Sequence, residues 1–507
     1  MRGKIVLTIT GFLLLAVDGC IAQSYVEEAL MVSRIRAGGS ARIQAMGGVQ
    51  NALGGDISSA YYNPAGLGMY NRSDFAITSA FATNNYSSSY LGTNSPETKN
   101  NVFIPNIGIA LHGSKDGTKG IWGGTIGINF NRINSFNETF SYSGTNENNS
   151  IVDYFLDNAA GTGISQFNSS GSNYNSPTGL AYFNYLIGPK NILNSADPND
   201  QYFTDVTGKP FQKEIVKNSG SQNQWSLSYG LNFNDKLFLG GGVGLTSLSY
   251  RSEKTYTETF DAAGQPMSKM VLTETLSLDG SGVNATIGAI YRPLNQFQVG
   301  FSVATPTSYD INDNYSAAMK TSWRSFEYLP AQGGKPAKIL NEENAATDNL
   351  PSNYSLTTPW RLSWGLTFFI QKHGFLSADA EWLNYGKSSY GGSGDYSGDN
   401  RQIKNLYKSI VNLRFGGEYR LKNYRVRAGY SLMPDPFQVQ QNGVDRAVSA
   451  FSLGGGYRKT KFYIDLAVIL STGDNSYRPY SINYPLDPLV TLKNKSTSIL
   501  ITVGFPF

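Results

Sequence analysis

The chain has 507 residues, of which only 15% are Asp, Glu, Lys or Arg, and it contains 55 glycines, 32 tyrosines and 27 phenylalanines. Soluble domains carry about 25% charged residues, so this composition argues against a series of soluble domains. The formal net charge of +4 is too small to favour binding to nucleic acid. Beyond the N-terminus no apolar run is long enough for a spanning helix, which leaves a closed β-barrel as the way to cross a membrane.

The N-terminus has the pattern of a secretory signal peptide. Arg2 and Lys4 precede an apolar run, and small residues follow it, so we expect residues 1–22 to be removed and the mature chain to begin at Gln23. Cys20 is the single cysteine, which excludes a disulfide framework. Its surroundings resemble a lipobox only weakly, and lipidation is the lesser alternative.

Residues 23–72 show no strand periodicity and predict a compact hatch, or plug. Gly47-Gly48 and Gly54-Gly55 permit turns with positive φ, and Pro64 holds Asn63 outside the helical region. Small residues in this stretch allow close packing inside a wall. We therefore expect the hatch to lie in the lumen of a barrel that spans residues 73–507.

Alternation with a period of two residues predicts the strands of this barrel. Trp225, Leu227 and Tyr229 point one way, while Ser226 and Ser228 point the other, as expected for a lipid face and a lumen face. Fourteen such segments begin near Ser73, Val102, Gly120, Gln224, Lys236, Met270, Gln296, Pro359, Gly374, Lys404, Tyr424, Arg446, Lys461 and Lys495. The expected fold is an all-β transmembrane antiparallel barrel.

The lengths of the connections predict its orientation. Links after even-numbered strands are short, and links after odd-numbered strands are longer, notably at 134–223 and 307–358. Outer-membrane barrels have short periplasmic turns and long extracellular loops, so both termini are predicted to be periplasmic. Apolar clusters within 134–223 predict helices in the extracellular loops.

The hatch and several strands together resemble one known family. Asn63-Pro64-Ala65 lies just before the first strand, and later strands contain Phe103-Ile104-Pro105-Asn106, Leu376–Trp382 and Arg414–Arg420. In this order they resemble the FadL/OmpP1/TodX outer-membrane transport proteins. The resemblance implies passive uptake of hydrophobic small molecules such as long-chain fatty acids, captured at extracellular loops and released through a lateral opening in the wall. The C-terminal Phe507 resembles the signal read by the barrel-assembly machinery, which would be a partner during biogenesis, besides outer-membrane lipid.

Two sets of residues are candidates for this transport. The resemblance implies a wall kink on the third strand, and glycine bends a strand at low cost, so Gly123 and Gly124 are the candidate wall kink; packing of these glycines against the hatch is the alternative. Apolar residues in the long loop are the candidate ligand groove, and packing of loop helices onto the barrel rim is the alternative. The groove residues are Tyr154, Phe155, Leu156, Tyr182, Phe183 and Leu186.

Alternation also predicts charged side chains inside the barrel. Opposite charges lie on adjacent strands, so we expect a cross-linked polar layer that holds the hatch, with binding of a substrate carboxylate as the alternative. The predicted lumen charges are Arg361, Asp379, Glu381, Arg414, Glu418, Arg420, Arg425, Arg427 and Asp465.

The sequence offers little for catalysis. His112 and His373 lie at strand ends or turns with no nucleophile beside them, and no metal, nucleotide or other cofactor motif occurs. The stronger rival is a barrel whose hatch never opens and which serves as an accessory subunit bound to other outer-membrane proteins. Co-purification would distinguish the two ideas, since stoichiometric protein partners would favour the accessory role.

Overall fold

The computed structural model describes residues 25–114, 120–167, 173–190, 202–261, 264–331, 335–482 and 487–507. The predicted signal peptide, with Cys20, and the predicted mature start at Gln23 lie outside these residues. Within the described ranges, no helix is both long and apolar enough to cross a bilayer.

The described residues form a closed wall of fourteen antiparallel strands, in which each strand pairs with its neighbours in the chain and the last pairs with the first. The strands are β1 Asp74–Tyr90, β2 Thr93–Ser114, β3 Ile121–Ser135 continued by Glu138–Thr145, β4 Phe211–Phe233, β5 Leu237–Thr259, β6 Met267–Leu294, β7 Phe297–Ala304 continued by Ser308–Leu329, β8 Lys338–Ala346 with Leu350–Thr357 and Arg361–Ile370, β9 Gly374–Asn384, β10 Ser409–Leu421, β11 Tyr424–Met433, β12 Val448–Arg458, β13 Tyr463–Tyr477 and β14 Val490–Pro506. The predicted all-β barrel and its strand count are confirmed.

Alternation along the strands gives the wall two different faces. Trp225 and Leu227 are each 53% exposed on the outside, whereas Ser226 and Ser228 are buried inside. Similar outward apolar residues recur around the barrel, from Phe81 to Phe505. So large an apolar surface is unfavourable in water and favourable against hydrocarbon, as in a barrel that spans a membrane.

The hatch fills the lumen and touches the wall backbone directly. It contains the helices α1 Tyr25–Ser33, α2 Ala41–Gln44 and α3 Ser59–Tyr62, followed by the 3-10 helix Pro64–Met69. Glycines of the wall make room for it: a Cβ added at Gly429 would lie 2.1 Å from the Gly47 nitrogen, and one at Gly240 would lie 2.3 Å from the Pro64 carbonyl carbon. Such distances admit no side chain, so these glycines allow the hatch to sit against the strands.

The outer end of the barrel carries a helical cap. Its elements are α4 Ile151–Ala159, the 3-10 helix Ile164–Phe167, α5 Pro177–Phe183, a two-strand pair of Gly188–Pro189 with Tyr202–Phe203, the short strand Ser389–Gly391, α6 Ser397–Leu406, and the 3-10 helices Tyr385–Lys387 and Gln441–Gly443. Helix α4 begins with a capping box in which the Ser150 and Asp153 side chains each bond to the other's backbone N–H. The helix-containing loops agree with the predicted fold.

The structure corrects the predicted extent of two loops. Both ends of 134–223 are strand, because Glu138–Thr145 pairs with the outer part of β4, and much of 307–358 is strand that extends β7 and β8. In these outer parts the alternation is reversed: polar residues such as Asp310 and Asn312 face outward, and apolar residues such as Tyr309, Ile311 and Met319 are buried inside. A search for an apolar outer face therefore misses these strands.

Two connections also differ from the prediction. The link between β1 and β2 is a two-residue turn at Leu91 and Gly92, whose φ angles are 47° and 81°, so not every link after an odd-numbered strand is long. Residues 404–406, predicted to open the tenth strand, are the last turn of α6. The first described residue, Tyr25, packs against Tyr354 and Tyr390 at the cap end of the lumen, whereas Phe507 bonds to Ser73 at the opposite end.

Candidate ligand path

The wall is interrupted between β2 and β3. Their ladder runs from the pair Ser114–Gly123 to the pair Asn106–Asn131, and no further pair joins the two strands among the described residues. Pro105 follows at once, and proline has no N–H to donate to a neighbouring strand. On its other side β2 shifts register against β1 between Asn106 and Phe103, which marks a bulge at Pro105.

Strand β3 kinks inward where this ladder ends. Its register against β4 shifts between Arg132 and Asn134, and the strand breaks after Ser135. The Phe136 N–H then donates to the carbonyl of Gly220, a residue of β4 with φ +116°. The Phe136 ring is buried in an edge contact with Tyr250, 5.4 Å between centroids, so this kink turns an aromatic side chain into the lumen.

The interruption is bounded above and below. Below it, the Asn106 side chain donates to Asn131 Oδ1 at 3.1 Å. Above it, Ser141 of β3 donates to Glu97 of β2 at 2.9 Å. We call the opening between Phe103–Pro105 of β2 and Arg132–Ser135 of β3 the wall window. Its two edges face each other through side chains instead of a backbone ladder.

Two connected cavities lead from the upper lumen to the wall window. The larger, about 350 Å³, lies between α1 and the wall; its lining is mixed, with Leu30, Phe140 and Val216 beside polar residues such as Lys254 and Arg446. The smaller, about 220 Å³, is lined by Phe103, Pro105 and Arg132, the window residues themselves. Both share Arg36, Asn134, Ser135 and Glu138 among their lining residues. They therefore form one path from the lumen to the wall.

The path is amphipathic. Arg36, an exposed side chain of the hatch, and Glu138 of β3 both line the two cavities. At the window the Arg132 guanidinium lies 5.0 Å from the centre of the Phe103 ring, so a cation–π contact spans part of the opening. A molecule with a long apolar part and a polar end would find partners for both along this path.

Helix α1 separates the larger cavity from the cap and is held by tyrosines. The Tyr354 hydroxyl lies 2.8 and 2.9 Å from the two carboxylate oxygens of Glu28, and the Tyr407 hydroxyl donates to the Val26 carbonyl at 3.0 Å. Burial raises the pKa of Glu28 to about 8, which the bond from Tyr354 only partly opposes. The helix is therefore best held when Glu28 carries a proton.

The raised pKa of Glu28 makes the docking of α1 depend on pH. Docked Glu28 binds its proton more tightly than undocked Glu28, so docking is strongest at low pH and weakens as the pH rises from about 4.5 to about 8. Hydrogen exchange of the α1 amides should accelerate over that window in the wild type. The Glu28→Gln variant, which stays neutral, should show flat protection after correction for intrinsic exchange rates. Equal pH dependence in both proteins would contradict this assignment.

The predicted kink at Gly123 and Gly124 is not where the wall opens. The β2–β3 ladder continues through both residues, which pair with Ser114 and Gly113. A Cβ at Gly124 would lie 2.1 Å from the Tyr229 hydroxyl, so this glycine makes room for a side chain of β4 and not for the hatch. The register of β3 against β4 shifts at two places, between Ile121 and Gly123 beside the predicted kink and between Arg132 and Asn134 at the wall window.

The predicted groove residues form the packed interior of the cap. Phe155 and Leu186 are fully buried, Tyr154 is nearly so, and Leu156, Tyr182 and Phe183 are partly buried. Helices α4 and α5 contact each other, and the Phe167 ring stacks on Tyr182 at 5.2 Å. The two helices use their apolar faces against each other and the inner faces of the strands, so these residues contribute to the packing of the cap.

Several predicted lumen charges bind the hatch. Asp379 accepts hydrogen bonds from the backbone N–H groups of Gln50 and Asn51 at 2.7 and 2.9 Å. Arg361 donates to the Tyr61 hydroxyl at 3.0 Å. Each of these contacts joins a wall side chain to the hatch in the lower half of the lumen.

Other lumen charges form a buried ion-pair layer. Arg427 bridges Glu418 at 2.8 Å and Asp465 at 2.6 Å, and all three side chains are buried. Arg420 also pairs with Glu418 at 2.8 Å, and Arg414 pairs with Glu381 at 3.0 Å. Arg425 also faces the lumen, where it lines a cavity with Arg42, Glu418 and Arg420. Its guanidinium donates to the carbonyls of Lys422 and Tyr424 in its own turn, because it lies at the end of the strand.

The Asn63-Pro64-Ala65 motif forms the corner at which the hatch meets the wall. Asn63 is fully buried; its side-chain amide donates to the Asn51 carbonyl at 2.7 Å, and its Oδ1 accepts from the Ala65 N–H at 3.2 Å. Asn63 thereby caps the 3-10 helix that Pro64 begins. The motif stabilises a turn of the hatch directly behind β5 and β6.

The two histidines lie away from the path. His112 Nδ1 is 3.0 Å from the Thr125 hydroxyl, and His373 occupies the turn between β8 and β9. Among the described residues, no group of His, Cys, Asp or Glu is arranged to hold a metal ion.

Comparison with solved structures shows which fold this is. The structure is similar to a Pseudomonas aeruginosa FadL homologue, with a TM-score of 0.55 and 12% identity over 93% of this chain and 99% of the other. It is also similar to the Pseudomonas putida toluene transporter TodX, with a TM-score of 0.50 and 14% identity over 93% of this chain and 98% of TodX. The chain has the FadL/TodX fold. No family model and no curated protein sequence matches it.

The FadL/TodX fold explains the arrangement of hatch and wall that the sequence resemblance implied. The residues that make the path in this chain were nevertheless not predicted: Pro105, Phe136 and Gly220 were not proposed as site residues. One signal was available, since Pro105 stands inside a strand pattern, where proline indicates an edge or a bulge.

Proposed function

We propose that this FadL/TodX-fold barrel is a passive outer-membrane transporter of hydrophobic small molecules. The observation that supports it most is the continuous path from the cavity beside α1 to the wall window. An opening into the apolar belt lets a hydrophobic molecule leave the lumen into lipid, where its transfer is favourable, without crossing the periplasmic water.

The route begins at the cap and ends in the bilayer. Ligand enters beneath the helical cap, where α1 must shift to admit it to the larger cavity. There the apolar part lies along Leu30, Phe140 and Val216, while a polar end meets Arg36. Long-chain fatty acids have this combination of groups. The ligand then passes Phe103 and Arg132 and leaves between β2 and β3.

The hatch makes this lateral route preferable to an axial one. Its lower half is fixed by Asp379, by the buried Asn63 corner and by close contact with wall glycines. Axial passage would break these contacts together, whereas the wall window needs no backbone hydrogen bond to be broken. The proposed role of the lower hatch is thus to close the barrel while the ligand leaves through its side.

Filling the wall window tests the proposal. Ser135 lines both cavities and its side chain is exposed, so Ser135→Trp places an indole in the path without displacing packed atoms. We expect a severalfold loss of uptake of radiolabelled oleate by cells that carry this barrel as their sole hydrophobic transporter. Uptake should be compared at equal amounts of folded, heat-modifiable protein in the outer membrane.

Ser249→Trp provides the matched control, because Ser249 is an exposed serine at a similar height on β5 but lines neither cavity. It should transport as the wild type does. Equal uptake by all three proteins would show that ligand does not leave through the wall window.

A further inference from the structure

A second apolar depression lies on the outside of the wall, away from the wall window. It occupies about 590 Å³ on β4 to β7 and is lined almost entirely by apolar atoms. Gly241 and Ala289 form its floor, while Tyr229, Leu239, Ile287 and Phe301 stand around it. We call it the outer groove. Because its surroundings belong to the lipid-facing belt, its natural occupant is a hydrocarbon chain.

The outer groove exists because the wall here carries glycine on both faces. Gly241 faces outward, and a Cβ added to it would meet only Ile287 and Thr286 at 3.8 Å, an ordinary contact distance. Gly240 and Gly288 face inward, where an added Cβ would lie 2.3 Å from Pro64 and 1.9 Å from the Asn63 Oδ1. A single layer of backbone therefore separates the outer groove from the Asn63-Pro64-Ala65 corner of the hatch.

A positive charge lies at the short-turn end of the groove. Lys236 is exposed in the turn between β4 and β5, three residues from Leu239, which corresponds to about 10 Å along a strand. Arg292 lies beside it, its backbone N–H bonded to the Lys236 carbonyl and its guanidinium paired with Asp235 at 2.7 Å. Short turns of outer-membrane barrels face the periplasm, where the leaflet consists of phospholipid.

We propose that the outer groove binds one phospholipid of the periplasmic leaflet, with an acyl chain over Gly241 and Ala289 and the phosphate near Lys236. The apolar lining and the glycine floor suit an acyl chain. Lys236, about 10 Å along the strand from Leu239, suits the phosphate. Bound there, the lipid lies against the backbone that supports the hatch corner, so it stabilises the closed hatch. The site is independent of the proposed transport route.

Native mass spectrometry tests this site. The purified barrel, delipidated in detergent, is titrated with palmitoyl-oleoyl phosphatidylglycerol, and the lipids that survive collisional activation are counted by mass. The wild type should retain one phosphatidylglycerol more than Gly241→Leu, whose side chain fills the groove where space is open. Gly455→Leu is the control: this outward-facing glycine also has open space, with Arg425 O at 3.8 Å as its near contact, but lies on β12. It should retain lipid as the wild type does.

Other outcomes of this experiment would overturn the proposal. Equal retention by wild type and Gly241→Leu would overturn it, as would adducts of detergent mass alone. A wild-type dimer that Gly241→Leu dissociates would show that the groove joins two copies of the chain, which also overturns it. Lys236→Gln, with the groove intact, should weaken phosphatidylglycerol retention; unchanged retention would overturn the placement of the phosphate.

Discussion

Replacing Gly429 by valine is expected to displace the hatch and open the lumen to water. The Cβ of residue 429 would lie 2.1 Å from both the Gly47 nitrogen and the Met46 carbonyl carbon. These are backbone atoms of the hatch, which rotamer changes cannot move away, so the clash exceeds ordinary overpacking. The fourteen-strand wall has its own complete hydrogen bonding around Gly429, and we expect the hatch to yield first.

Planar-bilayer recordings measure this effect directly. The wild type should stay near the closed baseline for ions, whereas Gly429→Val should show stable open-pore conductance. Gly455→Val adds the same side chain to a neighbouring strand at an outward position with open space and should behave as the wild type. If the Gly429 variant stays closed while folding normally, the hatch does not seal the lumen in the way described here.

Removing Arg427 is expected to destabilise the folded barrel by about 3–5 kcal/mol, the usual cost of leaving a buried charge without its partner. Its guanidinium is fully buried and bridges Glu418 and Asp465. In Arg427→Met both carboxylates keep only their longer or more exposed contacts, Glu418 with Arg42 and Arg420 and Asp465 with Arg458. Denaturant unfolding in detergent micelles measures the loss.

Two further variants separate charge from packing. Arg425→Met removes an arginine from the same strand whose guanidinium bonds only its own turn in the described contacts, and it should change stability by about 0.5 kcal/mol or less. Adding Glu418→Gln and Asp465→Asn to Arg427→Met should recover part of the lost stability, because no buried carboxylate then lacks its partner. Arg42 keeps Asp56, and the side chains of Arg420 and Arg458 reach solvent. A destabilised triple variant would mean that packing by Arg427, and not its charge, matters.

The membrane-embedded wall was predictable from sequence because lipid on one side and a packed lumen on the other impose a strict two-residue period. Trp225 to Tyr229 shows this period clearly, and the predicted inward position of Asp379 follows from it. Farther out the polarity of the two faces is reversed, with apolar residues such as Ile311 and Met319 inside, and the outer parts of β3, β4, β7 and β8 were therefore predicted as loops. The two-residue period in the sequence is set by what each face of a strand contacts, and not by β-structure as such.

The candidate site was less predictable because it depends on where a ladder stops. Strands are disturbed by residues such as Gly123, Gly124 and Pro105. Sequence alone does not say which of them lies where the hydrogen-bonded ladder to the neighbouring strand ends. The structure decides, since Gly124 faces Tyr229 while Pro105 borders the wall window. Similarly, an apolar cluster such as Phe155 with Leu186 predicts burial without saying whether a ligand or another helix covers it.

If a hydrophobic ligand leaves the lumen between β2 and β3, it should be visible there in a cryo-electron microscopy structure. The barrel is placed in lipid nanodiscs and saturated with a long-chain fatty acid that carries a heavy-atom label at its tail. We expect elongated density that begins near Arg36 and reaches the lipid between Pro105 and Arg132. Density that runs down the barrel axis through a displaced hatch would instead show that the ligand does not leave through the wall.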